Sequence, residues 1–252
     1  MPKSFLSFVF VLSLSCASIG QAQITPSPPP DSSAAFEKLQ KLLAGKSPAL
    51  TWVFTGDSIT HGAKHTGGTR SYVEHFAERV RWELGRVNDI VINTGISGDK
   101  ADGILKSFDW RVARFKPDVV SIMIGMNDCS RGPEKREEFR QNVRELIRRS
   151  RELGAIPILH TMNTVEPSSV KDRGDLPAYV AIIGEVAREE KTILVDHWQH
   201  WRTECDTPEK LKQWLNDPIH PGARGHREMA ILTFKGMRIF DPKSPTCQSI
   251  AP

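Results

Sequence analysis

Long apolar runs are almost absent from this 252-residue chain. Phe5 to Leu14 comes nearest, and it is too short for a bilayer anchor, which needs about 20 apolar residues. Charge of one sign is lacking as well. The net charge of +4 is modest, and the basic residues between Arg136 and Arg151 alternate with glutamates and have no interleaved aromatics. That pattern is a solvated helix face, not a nucleic-acid surface. Gly56 to Gly62 is bounded by glycines but has no Gly-Lys-Ser/Thr ending, which excludes a phosphate-cradling loop of the P-loop kind. Cysteine is scarce at four residues. The paired histidines His61/His65 and His197/His200 have no acidic or cysteine partner at ligand spacing, so no metal and no cofactor is expected. No internal repeat is visible.

What is present begins with a charged Lys3, the short apolar stretch and small residues to Ala22. This is the form of a secretory signal peptide over residues 1–22, so a secreted or periplasmic protein is expected, with no stable membrane insertion after the signal is removed. Cys16 follows Leu14-Ser15, but Ser13 stands where a lipidation signal carries an aliphatic residue. Residues 23–33 are rich in Pro and Ser and read as an extended tether. Residues 34–252 suit one α/β domain with a sizeable core. Of the three cysteines left, Cys205 and Cys247 are candidates to pair, with Cys129 free; spacing alone does not establish connectivity.

Strands are expected at about 50–55, 89–94, 118–124, 155–161 and 192–196, each rich in Val, Ile or Leu. Helical spacing fills the gaps: Val73, Phe76, Ala77, Val80 and Leu84 share one face, and Phe139, Val143, Leu146 and Ile147 share another. A last helix is expected at about 222–239. Such alternation implies a five-stranded parallel sheet covered on both faces.

Onto this frame fall four short motifs. Gly56-Asp57-Ser58-Ile59 ends the first strand, Gly98 follows the second and Gly125-Met126-Asn127-Asp128 follows the third. All three therefore emerge at the carboxyl edge, where open α/β sheets place their chemistry. Asp217-Pro218-Ile219-His220 comes late, before the last helix. A spacing of three lets Asp217 fold back onto one ring nitrogen of His220, leaving the other to take the proton of Ser58. A hydroxyl is a poor nucleophile until a base relieves it of that proton. The backbone N–H groups of Ser58 and Gly98 and the amide of Asn127 supply three candidate oxyanion donors.

Gly56 to Thr60, Asn93 to Asp99, Gly125 to Asp128 and Asp217 to Pro221 together resemble the four blocks of the SGNH hydrolases, also called GDSL esterases. The resemblance runs from about residue 51 to 230, in the family's order, with Ile59 in place of the usual Leu. It implies Ser58 as nucleophile, His220 as general base and Asp217 as its orienting acid. It also implies an oxyanion hole of Ser58, Gly98 and Asn127, and a flavodoxin-like three-layer α/β/α sandwich. Ser97 is a poor rival nucleophile, because a nucleophile elbow needs Gly where Asp99 stands.

The loop after strand four, about 163–176, carries Glu166, Lys171, Asp172, Arg173 and Asp175. Its polarity, with no apolar lid, favours a hydrophilic ester over bulk lipid. The expected function is a secreted serine esterase removing small acyl groups, acetyl foremost, from a small-molecule or glycan ester. The alternatives are a lysophospholipase or thioesterase of the same family, or a non-catalytic glycan-binding module. Asp196 ends strand five at the catalytic edge, with a turn-capping role as the alternative to contact with substrate. His197 is a candidate substrate contact, while Trp110, Trp198, Trp201 and Trp214 are candidates for sugar stacking or for the core.

Overall fold

A computed structural model describes residues 32–46, 48–168 and 170–249. The signal peptide, Cys16 and nearly all of the tether lie outside them. Helix α1 (Ser33–Leu43) already begins within the stretch read as tether, with Ser32 at its N-cap position.

The strands are β1 (Thr51–Gly56), β2 (Ile90–Asn93), β3 (Val119–Met123), β4 (Ile156–His160) and β5 (Ile193–Val195). Each falls within a residue or two of its expected place. They form one all-parallel sheet in the order β2-β1-β3-β4-β5. β3 and β4 are buried at every position and β1 at all but its first. Parallel strands covered on both faces cannot alternate polar and apolar residues, hence the near-continuous apolar runs. The edge strands depart from this, β5 at half-buried Leu194 and β2 most, with Ile90 exposed.

The helices in chain order are α2 (Ser58–His61), α3 (Tyr72–Glu78), α4 (Ala101–Lys106), α5 (Phe108–Arg111), α6 (Arg136–Glu152), α7 (Leu176–Glu189), α8 (His197–Glu204), α9 (Pro208–Trp214) and α10 (Ala223–Gly236). α4, α6 and α7 pack together on one face of the sheet, while α3 and α10 pack against each other on the opposite face. A capping box starts α3: Ser71 Oγ accepts from the Glu74 N–H and Glu74 Oε2 accepts from the Ser71 N–H. The arginines of α6 pair with glutamates, Arg140 with Glu185 and Arg144 with Glu189 of α7 among them, so this basic stretch is a solvated face. Cys205 and Cys247 are separate free thiols, contrary to the expected pair. Cys205 caps the end of α8, whereas the Cys247 sulfur receives the Asp241 N–H in the C-terminal turn.

Between sheet and α10 lies a group of buried histidines around Tyr72: His75, His160, His197 and His226. His160 Nδ1 lies 3.0 Å from His197 Nε2, and its Nε2 lies 2.8 Å from Ser121 Oγ. His197 is therefore a core residue and does not reach substrate. Burial pushes His75 down to about 4 and His160 and His226 to about 3, with His197 also lowered. A lowered folded-state value means stability is fully present above the unfolded value of about 6.5 and is lost as pH falls toward the folded values. Asp57 and Asp128, raised by burial to about 7 and about 6, act in the opposite direction. Four histidines against two carboxyls leave the unfolded chain holding about two more protons near pH 5. Stability is expected to fall by roughly 2–3 kcal/mol per pH unit there. Urea unfolding at pH 7, 6 and 5 measures it; a midpoint that does not move would rule out neutral buried histidines.

Candidate active site

β1 ends at the point where the strand order reverses, between β2 on one side and β3 on the other. That switch point opens a crevice at the carboxyl edge. Gly56 permits the turn there: a Cβ on it would stand 2.3 Å from the Met123 carbonyl oxygen and 2.4 Å from Thr60 Oγ1. Asp57 then caps α2, its Oδ1 accepting the Ile59 N–H at 3.0 Å. Its other oxygen has no partner among the described residues. Burial, together with the nearby Asp128 and Asp99, outweighs the Ile59 hydrogen bond and raises its carboxyl to about 7.

Ser58 opens α2, and the Asp217 to His220 turn meets it from across the crevice. Ser58 Oγ lies 2.8 Å from His220 Nε2, and His220 Nδ1 lies 2.7 Å from Asp217 Oδ2. Asp217 Oδ1 accepts the N–H groups of Ile219 and His220, both at 2.9 Å. Burial works against the charged carboxylate, but those two backbone donors and the His220 ring prevail and hold it below its ordinary value. The turn is pinned in place: Asn163 Nδ2 donates to the Ile219 carbonyl and the Glu166 N–H to the Pro218 carbonyl, both at 2.9 Å.

Gly98 sits at φ +81°, a left-handed conformation that favours glycine. Neither its N–H nor that of Ser58 is engaged by another described residue. Asn127 Nδ2 gives one proton to the Asp99 carbonyl at 3.0 Å, leaving its second proton unassigned. Its Oδ1 receives Arg173 Nη2 at 3.2 Å. A guanidinium can only donate, so Arg173 fixes which way the amide faces. All five residues singled out in the sequence thus come to one crevice.

Two basic residues here escaped the sequence reading. Arg173 stood only as one member of a polar loop. Arg111, 1% exposed, was not noticed at all. Its guanidinium donates to the Gly56 carbonyl at 3.0 Å and the Thr94 carbonyl at 2.7 Å, and pairs with the Asp99 carboxylate. It therefore ties the ends of β1 and β2 to the loop that carries Gly98. No motif announces it; a buried cation is visible only once the fold surrounds it.

His61 Nδ1 and His65 Nε2 both reach Ser97 Oγ, at 2.9 and 3.0 Å, and the His65 ring stacks on His220 at 4.0 Å. His65, Asp217 and His220 each place a possible ligand atom within 4.8 Å of the others. Two of the three are already bonded to each other, and His220 also to Ser58, so a metal there would compete with the hydrogen bonds just described. Asp196 caps α8, accepting the Gln199 N–H and the Thr161 hydroxyl. Trp201 and Trp214 are buried in the core, Trp110 is exposed and Trp198 is half-buried.

Residues 54–228 match the GDSL-like lipase/acylhydrolase family. An acetylxylan esterase of Geobacillus stearothermophilus is 30% identical over 202 residues, 71% of this chain and 89% of that protein. Esterase TesA of Pseudomonas aeruginosa is 30% identical over 154 residues, 61% and 73% of the two chains. Among solved structures, an acetylxylan esterase of G. stearothermophilus aligns with TM-score 0.63 at 23% identity, over 77% of this chain and 96% of that one. An α/β hydrolase enzyme from the metagenome of Lake Arreo aligns equally well, TM-score 0.63 at 24% identity, over 77% and 99%. These structures share the fold. With most of its length matched by the family, this chain belongs to the GDSL-like lipase/acylhydrolases and is a carboxylic ester hydrolase.

Proposed function

We propose that this protein is an exported serine esterase that removes small acyl groups, acetyl foremost, from carbohydrate. The observation that carries the reading is the unbroken line from Asp217 through His220 to Ser58, with hydrogen bonds of 2.7 and 2.8 Å. In it, His220 Nε2 takes the Ser58 proton as Oγ attacks the ester carbonyl. The resulting oxyanion is met by the N–H groups of Ser58 and Gly98 and the remaining Asn127 amide proton. As the bond to the sugar oxygen breaks, His220 gives its proton to that oxygen, which leaves as a hydroxyl, and an acyl-serine remains. Water, deprotonated by the same ring, then releases the acid. Asp217 stays ionised throughout and steadies the imidazolium.

Export is supported by the signal-like N-terminus. The acetyl preference is supported by the acetylxylan esterase relative and by the polar 163–176 loop. The longer-acyl alternative draws on the apolar side chains Val165, Leu176 and Leu211, which line a cleft beside the site. Hydrolysis of p-nitrophenyl esters from acetate to palmitate separates the two. A peak at acetate supports the proposal; a peak at eight carbons or more moves the assignment to lipids or thioesters.

Asn127→Ala is expected to lower kcat by about 10²–10³-fold with little change in KM, because its amide acts on charge present only in the transition state. An unchanged kcat would remove Asn127 from the oxyanion hole.

A further inference from the structure

Between the loop after β4 and helices α8 and α9 lies a cleft of about 830 Å3. One of its walls is Arg173, which touches Asn127. Another is the segment around Val165, where the neighbouring Glu166 N–H and Asn163 side chain hold the turn carrying Asp217 and His220. The cleft thus adjoins Asn127 through Arg173, and the loop that lines it also holds the turn carrying Asp217 and His220.

The charge of this cleft is one-sided. Lys171, Arg173 and Arg202 all line it. Its one acidic lining residue, Asp206, is already paired with Lys210 at 2.7 Å. Arg173 is paired with Asp172, but no carboxylate partners Lys171 or Arg202 among the described residues. Glu166, close by, pairs with Lys212. Half-buried Trp198 adds an aromatic face among the cations.

A neutral sugar gains nothing from those charges. The apolar residues Val165, Leu176 and Leu211 also line the cleft, but a fatty chain offers its cations no counter-charge. A carboxylate on a pyranose ring answers both features, because guanidinium groups bind carboxylates through paired, charge-assisted hydrogen bonds and the ring's C–H face stacks on indole.

We infer that this cleft is a subsite for a uronate, so that the substrate is an O-acylated acidic glycan with a uronic acid next to the esterified sugar. The inference rests on the esterase reading above.

The test compares an O-acetylated oligogalacturonide with the same oligosaccharide after its carboxyl groups are reduced to alcohols. The acidic form is expected to show a kcat/KM roughly tenfold higher or more, mostly through KM, as one charge-assisted contact allows. That advantage should shrink as salt rises to about 0.5 M. Lys171→Glu with Arg202→Glu should abolish it while leaving turnover of p-nitrophenyl acetate unchanged, since neither residue touches the triad. Equal rates on the two glycans, or an advantage that survives the double substitution, overturns the subsite. Ser58-dependent turnover of p-nitrophenyl acetate, measured in parallel, keeps the outcomes separate. If that turnover persists while the glycan preference fails, only the uronate subsite is wrong. If it is absent, the esterase reading has failed first.

Discussion

Ser58→Ala is expected to reduce kcat on p-nitrophenyl acetate by about 10⁵–10⁶-fold while the protein stays folded. The size follows from what is lost. Ser58 Oγ is the atom that would form the bond to the acyl carbon, and among the described residues no other hydroxyl or thiol is hydrogen-bonded to His220 Nε2. Cys129 lies close in sequence to Asn127, but burial pushes its thiol up to about 12 and its sulfur donates to the Met126 carbonyl, so it is no substitute. What survives would be water activated by His220 over the remaining oxyanion donors. Stability should change little, because Ala is a good helix former and the hydroxyl makes one partly exposed hydrogen bond. Retention of more than about a hundredth of the wild-type rate would place the nucleophile elsewhere.

The second large effect concerns Arg111. Arg111→Met fills much of the same volume but leaves the Asp99 carboxylate without its cation, the Thr94 carbonyl without the guanidinium and the Gly56 carbonyl with only the Ile96 N–H. Breaking a buried pair by removing one partner costs about 3–5 kcal/mol. The loss should appear as a lower urea midpoint. It should also reduce kcat, because the same guanidinium holds the loop that carries Gly98 against the end of β1. Adding Asp99→Asn should recover part of the stability, since the stranded charge is then gone. A single variant with wild-type midpoint and rate would show that Arg111 does not organise this corner.

The sheet and the five candidate site residues were legible because they rest on local patterns. Continuous apolar runs such as Trp52 to Phe54 mark strands buried on both faces, and a strand's end fixes which edge a following Ser58 or Asn127 occupies. The reading stopped where long-range packing decides. Arg111 looks in sequence like any helix-surface arginine, and only the convergence of Gly56, Thr94 and Asp99 gives it a role. His197 sits next to a strand end at the catalytic edge, yet its ring turns inward to meet His160. Trp201 and Trp198 are three residues apart on one short helix, yet one is wholly buried and the other borders the cleft. Cys205 and Cys247 failed as a pair for a related reason: a count of cysteines contains no distances.

The hydrogen bond between Ser58 and His220 joins residues 162 positions apart. A parallel sheet whose strands are already non-local neighbours is slow to assemble, and this contact closes only after the final turn and α10 dock onto it. Enzymatic turnover is therefore a stringent clock for folding. During refolding, the recovery of ester hydrolysis counts only those molecules in which the two ends of the domain have met, whatever helix content the rest have already regained.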